Sequence, residues 1–449
     1  MRSDANRTGE STRRWYLRRL GGALSVSALG GCAGESVDRT TTAVGDELYD
    51  ASVDHDVTAW SGYDPTWTPP TAPPPADYDV EVLIENLTIP WDIDIAPSGD
   101  VFLSERVGRI SRYENGVLHP VVEPDDLIPT GAVAPGSDDS RWWLRGGEGG
   151  LLGIAVHPTY PDPPLVYAYY TVETGSGRRN RVVAFDGLSG DGPWPIVDDI
   201  PAHTFHNGGR LEFGPANYLW VTVGDADPGI ETPERTRDPA SLAGSILRVT
   251  PTGTPPADRG WAGDARVHTH GHRNPQGLAW LPDGTALATE HGPGVGDEVS
   301  VLRQNGTYGW PEVRAGDNFG FYAGTDHVPP VATAPDWAPS GATFYTGDDV
   351  PGLRHRLLVG GLRSQRVVAL TLSPDPLGDG YDESHDAAHL DDAYRTASTP
   401  LFEGRFGRLR TLEQGPDGEL YALTSNRDGR AGGGFPTARD DRLLRIRHA

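Results

Sequence analysis

A turn that recurs six times constrains the fold of this chain most strongly. Each copy contains a proline and precedes a short apolar run, as Pro97-Ser98-Gly99 precedes Val101-Phe102-Leu103. The prolines of the six copies are Pro97, Pro158, Pro215, Pro282, Pro351 and Pro416, and successive ones lie 57 to 69 residues apart. A unit of this length, with one fixed turn and several short strands, predicts a blade of a β-propeller with long loops.

The sequence therefore predicts an all-β, six-bladed β-propeller over residues 76–449. The early run at 80–84 and the last run at 443–446 are expected to complete one blade together and so close the ring. The 58 glycines and 40 prolines are spread through the chain and separate aromatic and β-branched runs, a pattern typical of many short strands. A β-sandwich or a pair of all-β domains is the alternative, because strand runs alone do not fix topology.

Residues 1–32 resemble a twin-arginine lipoprotein-type signal. Arg13-Arg14 precedes a short, mildly apolar stretch, and Leu29-Gly30-Gly31-Cys32 resembles a lipobox whose cysteine is acylated. Cys32 is the single cysteine of the chain, which excludes an internal disulfide. We expect export and a lipid anchor on the outer face of the cytoplasmic membrane; the alternative is a chance arginine pair and an unmodified cysteine.

Composition also bears on the linker and on partners. Residues 33–75 are rich in Thr, Asp and Pro, which predicts a disordered linker. The formal net charge is −25, and all 38 basic residues are arginine. Such a surface repels nucleic acid and anionic membranes, so no nucleic-acid partner is expected. We interpret the scattered acidic residues as a solvated, halophilic surface.

Four segments place polar side chains beside predicted strands. They are centred on Glu148 in a glycine-rich run, on His206 with Asp225, on the stretch 271–311, and on Arg408 with Arg410. A histidine beside a carboxylate can act as a general base. Arginines that alternate along a strand share one face. Each segment taken alone is a weak signal, because a solvated or structurally bonded loop or strand residue would explain it.

The stretch 271–311 contains two short strands whose polar ends are expected to meet. It reads Gly271-His272-Arg273-Asn274-Pro275-Gln276-Gly277-Leu278, Pro282-Asp283-Gly284, Glu290-His291-Gly292-Pro293, Gly296-Asp297-Glu298 and Tyr308-Gly309-Trp310-Pro311. Loops at strand ends on a rigid scaffold are common places for binding and catalysis.

All four segments occur in this order in one family. The chain resembles the soluble quinoprotein sugar dehydrogenases of the glucose/sorbosone type over most of residues 80–447. The resemblance implies a propeller enzyme that uses pyrroloquinoline quinone (PQQ) and Ca²⁺ to oxidise an aldose at its anomeric carbon to the lactone. It implies a sugar as substrate and leaves the electron acceptor unknown.

The resemblance also implies roles for individual residues. His206 would be the general base and Asp225 would orient it, while Arg273 and Asn274 would bond the quinone oxygens. Arg408 and Arg410 would pair with the cofactor's carboxylates. The main-chain carbonyls of Gly292 and Pro293 would bind Ca²⁺, and Glu298 with the carbonyl of Tyr308 resembles a second, structural Ca²⁺ site.

The chain departs from the family pattern at two positions. Glu148 stands where the glucose-oxidising members have glutamine, so we expect it at the substrate. Arg363 stands where a lysine contacts the cofactor, and Arg and Lys differ in shape. Two other functions remain open at this point. One is a calcium-centred propeller hydrolase or lactonase, which predicts Asp, Asn and Glu at the axis; the other is a non-catalytic propeller that binds sugar or protein.

Overall fold

Six four-stranded antiparallel sheets form a β-propeller, and the prediction of this fold is confirmed. The computed structural model describes residues 42–44, 47–137, 144–226, 233–258, 263–294, 296–313, 322, 325–381, 385 and 390–449. The described residues belong to one compact unit. The first strands of neighbouring sheets contact one another and surround the propeller axis.

The blades follow one another along the chain. Blade 1 contains β4 (Pro90–Ile95), β5 (Val101–Glu105), β6 (Arg109–Glu114) and β7 (Val117–Val122). Blade 2 contains β8 (Leu151–Val156), β9 (Leu165–Thr174), β10 (Gly177–Asp186) and β11 (Trp194–Pro201). Blade 3 contains β12 (Leu211–Phe213), β13 (Leu219–Val223), β14 (Ser245–Val249) and β15 (Val267–His270).

Blade 4 contains β16 (Pro275–Trp280), β17 (Ala286–Glu290), β18 (Asp297–Val301) and β19 (Ala332–Ala334). Blade 5 contains β20 (Pro339–Tyr345), β21 (Arg356–Gly361), β22 (Arg366–Ser373) and β23 (Arg395–Leu401). Blade 6 contains β24 (Leu409–Gln414), β25 (Leu420–Thr424) and β26 (Leu443–Arg447), joined by the early strand β3 (Asp79–Ile84). Outside the blades, β1 (Thr42–Val44) pairs with β2 (Glu47–Tyr49), and short 3-10 helices span Val57–Ala59, Pro233–Arg237 and Pro351–Leu353.

Blade 6 closes the ring as the sequence predicts. The last strand β26 pairs antiparallel with β3, with Leu444 opposite Val82 and Ile446 opposite Val80. Blade 6 takes β3 from the early part of the propeller sequence and its other three strands from the last part. The ring therefore closes with a complete four-stranded blade, and no inner strand is left with an unpaired edge.

The repeated turn joins the first and second strands of each blade. In blade 1 the N–H of Ala96 donates to the carbonyl of Asp100 at 2.9 Å, and in blade 4 Leu281 donates to Thr285 at 2.9 Å. Gly99 and Gly284 both have a φ of 88°, in the left-handed region that glycine adopts without a Cβ clash. All six turns therefore lie on one face of the propeller, and the loops that precede the first strands lie on the other.

Apolar cores fill the spaces between blades. Within the described part of the chain there are six hydrophobic clusters, and each draws most of its residues from two adjacent blades. Each sheet is therefore covered on both faces, which explains why strands such as β8 and β21 are buried along their whole length.

A buried ion pair crosses the axis. The carboxylate of Asp92 in blade 1 contacts the guanidinium of Arg210, and its other oxygen accepts the N–H of Ile154 at 3.1 Å. Arg210 also donates to the carbonyl of Gln276 at 3.0 Å and lies 4.6 Å from the ring centroid of Trp91. These contacts join blades 1 to 4 around one charge pair.

Residues 49–75, here called the strap, cross the face that carries the repeated turns. His55 stacks on Tyr218 with ring centroids 3.9 Å apart, and Trp67 packs edge-on against Phe344 at 5.3 Å. The hydroxyl of Tyr381 donates to the carbonyl of Pro70 at 2.9 Å. The prediction of a disordered linker over 33–75 is therefore wrong for the strap, because its aromatic side chains bury area against blades 3 and 5.

Residues 1–32, the predicted signal, and residues 33–41 lie outside the described residues. In the part of the chain that the structure does describe, there is no helix with the length and apolar character needed to cross a membrane.

Candidate active site

A cavity of about 330 Å³ opens on the face opposite the strap. Its walls come from loops that precede the first strands of blades 2 to 5, together with the end of β17 and a loop of blade 6. Residues from three of the four predicted segments line it, namely Glu148, His206, Arg273, Asn274 and Gly292, and they are joined by Arg363. Short strands around one axis thus gather groups that are far apart in sequence.

Contacts to its ring and to its backbone both fix the position of His206. Its Nδ1 lies 2.8 Å from Oδ1 of Asp225, whose Oδ2 accepts the indole N–H of Trp310 at 3.0 Å. The φ of His206 is 54°, a left-handed conformation that is uncommon for a residue with a Cβ. With Nδ1–H donated to a carboxylate, Nε2 is the nitrogen that can accept a proton.

Glu148 is engaged through both carboxylate oxygens. Oε2 accepts the backbone N–H of His206 at 2.8 Å, and Oε1 accepts from Nη1 of Arg430 at 2.6 Å. Burial opposes ionisation here, but Arg430 outweighs it together with His206 and lowers the pKa of Glu148 to about 2. The geometry makes Glu148 a support for His206; its predicted role at the substrate stays a prediction.

Arg273 lines the same cavity as His206. Its Nη1 donates to the carbonyls of His291 at 3.0 Å and of Gly292 at 3.1 Å, and its guanidinium lies 5.4 Å from the ring centroid of Trp310. Burial lowers the pKa of Arg273, while nearby carboxylates, Asp225 first, raise it. Among the described residues, the guanidinium is therefore held by carbonyls and an aromatic face and has no direct ion pair.

Behind Arg273, a buried dyad fixes the main chain. His272 Nδ1 lies 2.7 Å from Oε2 of Glu290, and Glu290 Oε1 accepts the N–H of Arg273. The imidazole of His272 stacks on Tyr308 with centroids 4.4 Å apart. The histidine of the Gly-His-Arg-Asn motif is thus a structural partner of the arginine that follows it.

Asn274 and Asp297 support the backbone of the cavity. The side-chain oxygen of Asn274 accepts the N–H of Gly208 at 3.1 Å, which links blade 4 to the loop that carries His206. Asp297 accepts the N–H groups of Gly292 at 3.0 Å and Ala338 at 2.7 Å. Burial raises the pKa of Asp297, and these N–H groups oppose the rise.

Arg408 and Arg410 are buried near the axis and share one carboxylate. Nη2 of Arg408 lies 2.8 Å from Oδ2 of Asp428, and Nη2 of Arg410 lies 3.8 Å from the same oxygen. Neither arginine lines the cavity, although Arg410 acts electrostatically on His291, which does. Burial lowers the pKa of Arg410 to about 9. Both guanidinium groups therefore reach the same carboxylate, while their pairing with the cofactor's carboxylates stays a prediction.

The remaining predicted residues lie at the edge of the cavity or outside it. Arg363 is 64% exposed and pairs with Asp336 at 2.9 Å. Glu298 accepts the hydroxyl of Tyr322 at 3.2 Å, and the Tyr308 hydroxyl donates to the carbonyl of Val301 at 2.6 Å. Among the residues that can be described, no cluster of three acidic, histidine or cysteine side chains is arranged to hold a metal.

For several residues at the cavity the sequence predicted no role. Phe205, His291, Asp297 and Arg430 line it, the indole of Trp310 donates to Asp225, and Asp428 accepts the backbone N–H of Arg430. Arg430 and Asp428 belong to a loop without a spacing pattern, so only the folded chain shows that they reach the cavity. His291 and Asp297 were within the motif that the sequence singled out, but as neighbours of the expected ligands.

Comparison with known proteins gives this geometry a family. The family model described as "Glucose / Sorbosone dehydrogenase" matches residues 87–435, which is most of the chain. The chain belongs to this family.

Other members of the glucose/sorbosone dehydrogenase family are similar along nearly their whole length. Aldose sugar dehydrogenase YliI of Escherichia coli is 28% identical over 379 residues, covering 79% of this chain and 92% of that protein. Quinoprotein glucose dehydrogenase B of Acinetobacter calcoaceticus is 25% identical, covering 78% and 85%. The PQQ-bound structure of aldose sugar dehydrogenase from Streptomyces coelicolor is 30% identical, with a TM-score of 0.64 and coverage of 83% and 99%. The expectation of an enzyme of the quinoprotein sugar dehydrogenase type is confirmed at this level.

Proposed function

We propose that the protein oxidises an aldose at its anomeric carbon to the lactone, with PQQ as hydride acceptor. The observation that carries the proposal is the His206–Asp225 pair, 2.8 Å apart, which shares a sugar-sized cavity with Arg273 in a chain of this family. When bound, PQQ supplies a two-electron acceptor for the hydride of the anomeric carbon.

The residues of the chain would manage the proton and the charge. Nε2 of His206 accepts the proton of the anomeric hydroxyl as the C–H bond breaks and the C=O bond of the lactone forms. Asp225 keeps Nδ1 protonated and stabilises the imidazolium that results. Arg273 places a positive charge in the same cavity, where it would stabilise negative charge that develops on the acceptor. Asn274, next to Arg273, would bond the same acceptor.

The deeper arginines fit the acidic groups of PQQ. Arg408 and Arg410 face one carboxylate, Asp428, and within the described chain Nε of Arg410 has no hydrogen-bond partner. Buried donors of this kind suit a ligand that brings carboxylates. Arg363, at the rim, would add a further positive charge.

A calcium ion is proposed at the carbonyls of Gly292 and Pro293. Support comes from the family resemblance; the Gly292 carbonyl here accepts from Nη1 of Arg273 at 3.1 Å, so Ca²⁺ would have to replace that donor. Carbonyl oxygens are suitable ligands for Ca²⁺. The second proposed ion, at Glu298 and the carbonyl of Tyr308, rests on the family resemblance alone, since Glu298 here accepts from Tyr322.

The hydrolase alternative finds less support. A calcium-centred lactonase needs several acidic or amide side chains that converge on one metal at the axis. Near this cavity the axis carries Arg408 and Arg410, and the described residues contain no converging acidic or histidine triplet. A non-catalytic propeller would have no use for a histidine poised on a carboxylate in a cavity.

We further propose that the protein is exported by the twin-arginine route and anchored through acylated Cys32, with a surface suited to high salt. The Arg13-Arg14 pair, the stretch ending at Cys32 and the net charge of −25 support this. Labelling of expressing cells with a fatty-acid analogue tests it, because Cys32→Ser should abolish labelling. Label retained on that variant would contradict the anchor.

The activity is tested by reconstitution with PQQ and Ca²⁺ and by dye reduction with a panel of aldoses. We expect turnover with at least one sugar and formation of its lactone. Absence of both a cofactor spectrum and turnover with every sugar would refute the proposed function.

A further inference from the structure

The Arg408, Arg410 and Asp428 cluster has a third cationic neighbour, Arg106, directly after β5 in blade 1. Arg106 is 5% exposed, and within the residues described its Nε and Nη2 atoms have no hydrogen-bond partner. A buried donor without an acceptor costs free energy, and folded proteins contain few of them. Two such atoms on one guanidinium indicate a group that is completed by a ligand.

The nearby carboxylates bond to other groups and leave these two nitrogens of Arg106 without a partner among the described residues. Oδ2 of Asp428 accepts from Arg408 at 2.8 Å, and Oδ1 accepts the backbone N–H of Arg430 at 2.9 Å. Both oxygens of Glu148 are likewise taken, by Arg430 and by the backbone of His206. Asp428 is therefore paired with Arg408 and Arg410 and Glu148 with Arg430, so the guanidinium of Arg106 adds a positive charge that neither carboxylate pairs with directly.

The glycine-rich loop holds the stem of Arg106 in place. Gly150 has a φ of 130°, and a Cβ built there would lie 2.5 Å from the carbonyl oxygen and 2.8 Å from Cγ of Arg106. The backbone N–H of Leu151 donates to the same carbonyl at 3.1 Å. The loop thus packs onto Arg106 as only a residue without a side chain allows, which restricts where the guanidinium can go.

We infer that Arg106 is a third carboxylate-binding arginine of the cofactor site, beside Arg408 and Arg410. The inference rests on the proposed function, because the anion is a carboxylate of PQQ, which carries three. A carboxylate would supply acceptors to the two unpaired donors of Arg106 and offset the excess charge. Arg106 is a binding residue on this account and takes no part in hydride or proton transfer.

The test is to titrate the apo-protein with PQQ and with its trimethyl ester and to monitor binding by protein fluorescence. Wild type, Arg106→Gln, Arg106→Lys and the exposed control Arg354→Gln are compared. We expect Arg106→Gln to bind PQQ about tenfold or more weakly than wild type does, and to bind the ester with the wild-type affinity. The PQQ affinity of Arg106→Lys should lie between those of wild type and Arg106→Gln. The apo form of Arg106→Gln should melt at the same or a higher temperature, because an uncompensated buried charge is gone.

Two outcomes would overturn the inference. One is an unchanged PQQ affinity in Arg106→Gln. The other is an equal loss of PQQ and ester binding together with a lower melting temperature, which is the behaviour of a structural residue. If wild type binds neither compound, the proposed function fails as well. If wild type binds PQQ and Arg106→Gln binds it with the same affinity, the proposed function stands and only the role of Arg106 is refuted.

Discussion

The backbone N–H of His206 donates to a carboxylate oxygen of Glu148 across 2.8 Å, and the other oxygen of that carboxylate is bound by Arg430. A loop of blade 2 and a loop of blade 6 therefore fix the main chain of the residue that we propose as the base. The unusual φ of His206 is stabilised by this contact.

Glu148→Gln is expected to lower kcat with little change in the KM for sugar. Glutamine keeps an acceptor for His206 but loses the charge that holds Arg430, so the imidazole should be positioned less firmly. We expect a fall in kcat of about tenfold. Steady-state kinetics of this variant and of the exposed control Glu123→Gln measure it. A rise in KM at unchanged kcat would instead assign Glu148 to sugar binding.

His206→Asn is expected to reduce kcat by about 10² to 10⁴, the usual contribution of a general base. PQQ affinity should be retained, because the proposed cofactor contacts lie on other residues. His119→Asn, at an exposed position, is the matched control. Oxidation of sugar by the His206 variant at the wild-type rate would show that another group takes the proton.

Glu212 and Glu413 are expected to make stability fall as pH rises. They line a second cavity, of about 550 Å³, on the strap face. Burial raises the pKa of Glu212 to about 8, despite the nearby Arg210, and also raises the pKa of Glu413. A carboxyl whose folded pKa is raised binds more protons folded than unfolded, so its stabilisation is complete below about pH 4.5 and is lost as pH rises towards 8.

Denaturant unfolding between pH 5 and about 9 measures this dependence. Glu212→Gln stays neutral throughout and should flatten the decline. The same slope in the variant and in wild type would mean that Glu212 is already ionised at low pH.

Asp92→Asn is expected to lower the free energy of unfolding by about 3–5 kcal/mol, because it leaves the buried guanidinium of Arg210 without its ion partner. Asp348→Asn removes a carboxylate that is 84% exposed and pairs with Arg354, and it should cost less than about 1 kcal/mol. Denaturant titration distinguishes the two. Equal effects would contradict the view that Asp92 joins the blades at the axis.

Trp67→Ala is expected to destabilise the protein by about 2 kcal/mol, since the indole is half-buried against Phe344. Binding of PQQ should be unaffected because the cavity lies on the other face. Thr66→Ala, at an exposed neighbouring position, is the control. Unchanged stability of the Trp67 variant would indicate that the strap is held by its other contacts.

The fold could be predicted because its signal is repeated. A single turn such as that at Pro282 says little, but six turns at similar spacing, each followed by an apolar run, fix the number of blades. The strap was missed because its composition is that of a linker; Trp60 and Trp67 pack in the folded chain, and average composition hides two such anchors.

The site could be predicted in part. His206, Asp225 and Arg273 lie in motifs with an order and spacing that the family shares. Arg106 and Arg430 lie in segments with no such pattern, and their position near Glu148 depends on loops from blades 1 and 6 meeting at the axis. The engagement of both Glu148 oxygens is a matter of geometry that residue type alone does not encode.

The pairing of β3 with β26 has a consequence for how the chain folds. Arg447 bonds to Glu81, 366 residues earlier, so the contact that closes the ring has an extreme sequence separation. Ring closure must wait until the last strand has left the ribosome, and such long-range strand pairing is intrinsically slow. Until then β3 is an unpaired strand with exposed edges, the kind of segment that chaperones protect and that aggregates when they do not.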